Sequence, residues 1–243
     1  MQRYEPSMFR YRPQDDITRY VSEWIQRHIT ELNNSPHIEI EAKLGVLIDK
    51  RTQQRLHIHQ IETEAVISDD HMRSARFKSD MTFVMRYTHR YELDKFYRSH
   101  RPGSEKVRVT IDTKTNDTIA VIEKKRIADL NIYSPSTQLD YRISINLELP
   151  ADHPYSDEDS THERNKDRLS YVFQCVQVDL TQVTDGVNGQ KNHELECEIA
   201  NMDVLLREKD KLDNRQQNQF QEIVGVLLNN VRALAKESNK FTR

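Results

Sequence analysis

Acidic residues occupy every second position of the segment 192–199, where Glu194, Glu196 and Glu198 alternate with apolar residues. A β-strand sends successive side chains to opposite faces, so this segment predicts a strand with one carboxylate face and one apolar face. A row of carboxylates is repulsive unless water, a cation or basic side chains neutralise it. The segment therefore belongs either to a wet sheet surface or to a site that collects positive charge.

The same alternation occurs near the start of the chain, in the segment 38–44. Glu39, Glu41 and Lys43 share one face there, and apolar residues form the other. Two glutamate rows that face each other would form an oxygen cage suited to Mg²⁺ or Mn²⁺. Either row alone also resembles the exposed face of an ordinary antiparallel strand, so a solvent-exposed sheet surface is the alternative interpretation.

Most later segments with a strand pattern also pair one apolar face with one charged face. The predicted strands are 38–48, 61–67, 91–97, 105–112, 118–127, 140–149, 164–171, 176–181 and 192–199. The apolar faces require a cover, and the charged faces either meet water or line the inside of a closed sheet. Closure removes exposed strand edges, and about eight strands make a small barrel.

Helices are predicted at both ends of this block of strands. Residues 16–33 have helical apolar spacing after a capping Asp15 or Asp16, and residues 203–238 contain two further helical stretches. A helix is also predicted over about 70–90. We expect an N-terminal arm, 1–15, and a single domain, 16–243, of the α+β class, in which N- and C-terminal helices flank an antiparallel sheet that is either open or closed into a barrel of about eight strands.

Composition excludes several classes of protein. With 36 basic and 39 acidic residues, the chain is not a uniformly basic nucleic-acid binder, although a local basic site remains possible. Two cysteines do not make a disulfide framework, and the five glycines form no phosphate-binding loop of the Walker or Rossmann type. There is no apolar run of membrane-spanning length, so we expect a soluble intracellular protein without a membrane partner.

Basic residues alternate in the strand predicted at 164–171. Arg164, Lys166 and Arg168 share one face of that strand, and Arg108 lies on the charged face of another. Inside a barrel, these groups would oppose the glutamates and grip phosphate oxygens that a glutamate-bound metal also neutralises. On an open sheet they would form an ordinary wet surface.

Taken together, these motifs resemble the metal-dependent RNA 5′-triphosphatases of fungal and protozoan mRNA capping, members of the triphosphate tunnel metalloenzyme superfamily. The resemblance rests on Ile-Glu-Ile-Glu-Ala-Lys-Leu-Gly from residue 38, Glu-Leu-Glu-Cys-Glu from residue 194, and the Arg-x-Lys-x-Arg strand between them. It implies a closed antiparallel eight-stranded β-barrel, a triphosphate tunnel, flanked by the N- and C-terminal helices.

The resemblance also implies roles for individual residues. Catalysis would involve Glu148, which orients the attacking water, together with Arg108, Lys166 and Arg168. Substrate phosphates would be bound by Arg108, Lys124, Arg164, Lys166 and Arg168. The metal, Mg²⁺ or Mn²⁺, would be held by Glu39, Glu41, Glu194, Glu196 and Glu198, and Lys43, Asp179 and Thr181 would support the site.

The activity implied is removal of the γ-phosphate from triphosphate-ended nascent RNA, with NTP hydrolysis in the presence of Mn²⁺. Expected partners are 5′-triphosphate RNA, the capping guanylyltransferase or the transcription machinery, and a second copy in a homodimer, in the nucleus. Two alternatives remain: a tunnel enzyme for tripolyphosphate or another small triphosphate, and a non-catalytic module that binds phosphate polymers or RNA ends.

Overall fold

The computed structural model of the protein describes residues 15–78, 88–99, 106–154 and 160–240. In chain order its elements are α1 (Asp16–Glu31), β1 (Ile38–Asp49), β2 (Ala65–Ile67), α2 (Asp69–Ser74), β3 (Ala75–Lys78), β4 (Thr88–Arg98), β5 (Lys106–Asp112), β6 (Thr118–Tyr133), β7 (Asp140–Pro150), β8 (His162–Phe173), β9 (Val176–Asp185), β10 (Lys191–Ile199), α3 (Met202–Asp213) and α4 (Phe220–Ser238).

Eight strands close into an antiparallel barrel in the order β1, β7, β6, β5, β4, β8, β9, β10. The two glutamate strands meet at the seam, where Glu41 lies opposite Glu198 and Lys43 lies opposite Glu196. Of the remaining strands, β2 pairs with the end of β6 and β3 pairs with the end of β1. The predicted eight-stranded barrel is confirmed.

The hydrophobic core lies outside the barrel, between its wall and the helices. Outward-facing residues of β1, β7 and β10, such as Ile40, Ile143 and Leu195, are buried against α1, α3 and α4. Trp24 of α1 belongs to this cluster. Because the apolar faces are covered on this side, the opposite faces of the same strands point into the barrel.

Helix boundaries follow local signals. The carboxylate of Asp15 accepts a hydrogen bond from the Thr18 backbone N–H at 2.9 Å and caps α1, as predicted. The helix ends at Glu31, with Leu32 as its C-cap, and the predicted stretch 203–238 forms the two helices α3 and α4. Of the predicted arm 1–15, residues 1–14 lie outside the described residues. Among the residues described, no helix is both long and apolar enough to cross a membrane.

The prediction of a helix over about 70–90 is correct for residues 70–74, which belong to α2, and wrong for residues 75–78 and 88–90, while its centre, 79–87, lies outside the described residues. Among the described residues of this range only α2 is helical, since β3 follows directly and β4 already includes residues 88–90. The reason is tertiary: Phe77 lies opposite Leu47 of β1 and packs on a small cluster that includes Ile67. Side-chain packing here overrides the helical spacing of the apolar residues.

Gly45 of β1 allows this close packing. A Cβ at position 45 would lie 2.3 Å from the Lys78 carbonyl oxygen and 2.8 Å from the Phe77 ring. The strand therefore needs a residue without a side chain beside the end of β3, with which it pairs.

Candidate active site

The interior of the barrel contains a cavity of about 340 Å³. Within the described part of the chain, every residue that lines it is charged. These residues are Glu39, Glu41, Lys43, Arg108, Lys124, Arg126, Glu148, Arg164, Lys166, Arg168, Glu194, Glu196 and Glu198. We call this space the tunnel. Distant segments of the chain meet there because alternate residues of each strand point inward.

One side of the tunnel, the acidic wall, consists of Glu39, Glu41, Glu194, Glu196 and Glu198 on β1 and β10. Lys43 crosses the seam between these strands, forming an ion pair with Glu196 and lying 3.6 Å from Glu194. These carboxylates raise the pKa of Lys43 although burial opposes the shift. The lysine thus stays charged and holds the two strands of glutamates together.

Asn146 of β7 orients the other end of the acidic wall. Its side-chain amide donates hydrogen bonds to Glu39 at 2.8 Å and to Glu41 at 3.1 Å. The Gln177 amide of β9 similarly donates to Glu198 at 2.8 Å. Neutral donors fix these carboxylates without cancelling their charge.

The acidic wall fits a divalent cation. Burial and the nearby carboxylates of Asp179 and Glu39 raise the pKa of Glu198 to about 8. The carboxylates that add to the effect of burial place several negative charges side by side, and such hard oxygen ligands suit Mg²⁺ or Mn²⁺. As they are placed here, no three Asp, Glu, His or Cys side chains of the described residues converge on one point, because the glutamates point to amides and lysines instead.

The opposite side, the basic wall, consists of Arg108, Arg164, Lys166 and Arg168 on β5 and β8. It is anchored by Asp94 of β4, which is completely buried. Asp94 accepts hydrogen bonds from Arg164 at 2.9 and 3.0 Å, and its carboxylate lies 2.6 Å from the Lys166 ammonium. Although burial opposes the shift, these cations hold the pKa of Asp94 at about 2.

The basic wall has capacity for an anion. Within the described residues, the Nε atoms of Arg108 and Arg168 are buried and lack a hydrogen-bond partner. Burial and the neighbouring guanidinium groups lower the pKa of Lys166 to about 8. Arg108, Arg164 and Lys166 crowd around the buried Asp94, and Arg168 pairs with Asp179 beside them, so this wall keeps donors and positive charge for a ligand such as a phosphate group.

Glu148 and Lys124 connect the two walls. Glu148 lies 3.2 Å from Arg108 and 3.4 Å from the Lys124 ammonium. Lys124 also forms an ion pair with Glu39 and lies 3.8 Å from Glu41. The structure thus places Lys124 among the carboxylates rather than on the basic wall.

The two predicted supporting residues of β9 differ in their contacts. Asp179 accepts a hydrogen bond from Arg168 at 3.1 Å and from the Gln177 amide at 3.1 Å. The buried hydroxyl of Thr181 has no hydrogen-bond partner among the described residues. Asp179 therefore positions a guanidinium group, and Thr181 lies opposite Arg168 in the pairing of β8 with β9.

Several contributors escaped the sequence analysis. They are Asp94, Asn146 and Gln177, together with Glu92, which lies 3.9 Å from Arg168, and Arg126, which lies 3.8 Å from Glu41. Asp94 alternates with Glu92 in a predicted strand, and Asn146 has the same parity as Glu148. A signal was therefore present in the alternation. The sequence did not indicate which strand faces line the tunnel.

Comparison with known proteins places these features in context. The family model described as mRNA capping enzyme, beta chain, matches residues 11–85 and 82–240. The mRNA-capping enzyme subunit beta of Schizosaccharomyces pombe is 31% identical, over 91% of this chain and 81% of that protein. The corresponding Candida glabrata subunit is 29% identical over 90% of this chain, which spans only 42% of that longer relative.

Polynucleotide 5′-triphosphatase CTL1 of Saccharomyces cerevisiae is 29% identical, over 85% of this chain and 73% of that protein. Among solved structures, the S. pombe Pct1 RNA triphosphatase in complex with the Spt5 CTD superimposes with a TM-score of 0.87. The two chains are 30% identical, and the match covers 97% of this chain and 99% of the other.

Proposed function

This chain belongs to the mRNA capping enzyme beta chain family, and on that premise we propose that it removes the γ-phosphate of triphosphate-ended nascent RNA. It is a polynucleotide 5′-triphosphatase, a hydrolase. One observation carries the proposal: a wall of carboxylates and a wall of guanidinium and ammonium groups line the same cavity of about 340 Å³. A triphosphate with a bound cation complements both walls at once.

The basic wall binds the phosphate chain. Arg108, Lys166 and Arg168 surround the γ-phosphate, and Arg164 binds the phosphates on the side nearer the nucleoside. Support comes from the unpartnered Nε atoms of Arg108 and Arg168, which a phosphate oxygen would satisfy. Donors that are already aligned before the reaction stabilise developing charge without further reorganisation.

The acidic wall holds Mg²⁺ or Mn²⁺ through Glu39, Glu41 and Glu198, with Glu194 and Glu196 supplementing them. Support comes from the register, in which Glu41 lies directly opposite Glu198, and from the raised pKa of Glu198. When bound, the metal neutralises phosphate charge that the basic wall does not reach.

Hydrolysis requires a water molecule in line with the γ-phosphorus. Glu148 orients that water, because its carboxylate lies between the two walls within 3.2 Å of Arg108. Attack breaks the bond between the γ-phosphorus and the β–γ bridging oxygen, giving inorganic phosphate and a diphosphate RNA end. Transition-state charge on the transferred group is stabilised by Arg108, Lys166 and Arg168.

The test is release of labelled γ-phosphate from triphosphate-ended RNA, with and without Mg²⁺ or Mn²⁺. Glu39→Ala and Glu198→Ala should abolish turnover while the proteins still fold. The matched control is Glu62→Ala, which removes an exposed glutamate outside the tunnel. Near-normal turnover in both tunnel variants would refute the metal assignment.

Substrate class is resolved by comparing RNA with inorganic tripolyphosphate, thiamine triphosphate and ATP under the same conditions. A higher kcat/KM for RNA supports a role in capping. A higher kcat/KM for a small triphosphate supports the alternative tunnel enzyme. If RNA ends bind without any phosphate release, the protein is a non-catalytic binding module instead.

The enzyme acts in the nucleus, on transcripts still attached to the transcription machinery. Pct1 of S. pombe, which shares this fold, was solved with the Spt5 CTD, and that complex supports recruitment through a transcription component. Capture of this protein by immobilised Spt5 CTD peptide tests that route, and capture by guanylyltransferase tests direct docking. Analytical ultracentrifugation tests the expected homodimer.

A further inference from the structure

A pair of aromatic rings continues the basic wall beyond the tunnel cavity. On β8, inward-facing positions run from Arg168 through Lys166 and Arg164 to His162, and Phe96 of β4 lies directly opposite His162. The ring centroids of Phe96 and His162 are 5.8 Å apart, with the planes inclined by 31°. Both side chains are partly exposed. The charged lining therefore ends in an accessible aromatic surface.

Neighbouring residues hold this ring pair in place. The Arg164 guanidinium lies over the Phe96 ring, 5.0 Å from its centroid, while two hydrogen bonds to Asp94 fix the same guanidinium. The Phe96 carbonyl accepts hydrogen bonds from the Thr161 backbone N–H at 2.7 Å and hydroxyl at 2.9 Å. A ring fixed in this way loses little entropy when a ligand packs on it.

The order of residues along β8 matches the order of groups in a triphosphate-ended nucleotide. Lys166 and Arg168 bind the terminal phosphate in the proposed function, and Arg164 comes next towards the rings. Successive inward positions on a strand are roughly 7 Å apart, so His162 follows one such step beyond Arg164. A nucleoside attached to the α-phosphate would emerge beside the rings.

We propose that the base of the 5′-terminal nucleotide stacks on the Phe96–His162 ring pair, and that the RNA chain leaves the tunnel past this end. The inference rests on the proposed function and identifies the part of the substrate, beyond its phosphates, that the protein recognises. Stacking on an aromatic surface tolerates any base, as a protein that acts on transcripts of different sequence requires.

The experiment compares two substrates in the Phe96→Leu variant. Leucine keeps apolar volume but removes the ring, so kcat/KM for triphosphate-ended RNA should fall about tenfold. Turnover of inorganic tripolyphosphate, which has no base, should stay within about twofold of the unmodified level. Phe96→Tyr, which restores a ring, should keep RNA turnover, and His162→Leu should repeat the selective loss.

Tyr91→Leu is the matched control. Tyr91 also lies on β4, its ring centroid is 4.8 Å from that of His89, and the Lys114 ammonium lies 4.8 Å from its centroid. This second ring pair has the opposite parity and lies on the outside of the barrel. Its removal should change neither activity.

Three outcomes would overturn the inference. Unchanged RNA turnover in Phe96→Leu would exclude stacking. An equal loss with RNA and tripolyphosphate would show that the ring acts only by positioning Arg164, and the proposed function would still stand. If the unmodified protein releases phosphate from neither substrate, the proposed function fails and the stacking site fails with it.

Discussion

Asp94→Asn tests whether a single buried carboxylate holds the basic wall together. The change keeps the shape of the side chain but removes its charge, leaving Arg164 and Lys166 without their shared counter-ion. Removing one partner of a buried ion pair typically costs about 3–5 kcal/mol. Since the Asp94 side chain is completely inaccessible, solvent does not screen this loss. We expect the free energy of unfolding to fall by about 3 kcal/mol at pH 7.

The pH dependence of that loss can be derived from the pKa. Asp94 has a pKa of about 2 in the folded protein against its ordinary value of 3.8. At about 1.4 kcal/mol per pKa unit, this difference stabilises the folded state by about 2.5 kcal/mol above pH 5. A depressed pKa contributes stability that disappears as pH falls through the folded value. By pH 3 about half of the contribution should be lost.

The assay is urea unfolding of the unmodified and Asp94→Asn proteins at several pH values between 7 and 3. The difference between them should shrink towards acid pH, because the native aspartate then becomes protonated as well. Asp167→Asn is the control: its half-exposed partner is His89 on the outer face, so the cost should stay below about 1 kcal/mol. A difference below 1 kcal/mol for Asp94→Asn, or one independent of pH, would refute the reasoning.

Three further predictions concern the tunnel and the strand beside it. As pH rises through about 8, kcat/KM should fall because Lys166 loses its proton, and Lys166→Arg should move that fall to higher pH in a pH–rate profile. Gly45→Ala should lower stability by about 1–3 kcal/mol in thermal unfolding, whereas Gly225→Ala in α4, which has room for a Cβ, should raise it by up to about 1 kcal/mol. Saturating Mg²⁺ or Mn²⁺ should raise the Tm of the unmodified protein by about 5–10 °C, and Glu39→Gln and Glu198→Gln should reduce that shift in calorimetry.

Alternation predicted the two faces of almost every strand, and the closed barrel was chosen over an open sheet because closure removes exposed edges and because the motifs resemble the tunnel family. Each strand has an apolar face for the helices and a charged face for the interior. A closed barrel covers the apolar faces and encloses the charged ones. The fold class, the family and the enzyme class are confirmed. The roles of individual site residues, including Glu148 as the water-orienting group, stay predictions.

Local patterns failed where a neighbour decided the conformation. The segment around Phe77 has helical spacing, yet its backbone pairs with the end of β1. Asp94 was overlooked for a related reason: its importance comes from Thr110, Arg164 and Lys166, which belong to other strands. Spacing within one strand identifies a face, but it contains no information on which faces share an interior.

The charged lining also has a role in specifying the fold. At the seam, Lys43 of β1 pairs with Glu196 of β10, and Arg168 of β8 pairs with Asp179 of the neighbouring strand β9. A slip of one residue in either pairing would turn charged side chains towards the helices and apolar ones into the tunnel. Burying an unpaired charge costs several kcal/mol, far more than the ion pairs themselves contribute. The charged residues of the tunnel thus exclude the alternative registers, although their burial opposes folding. For this reason a polar interior is compatible with a single closed barrel.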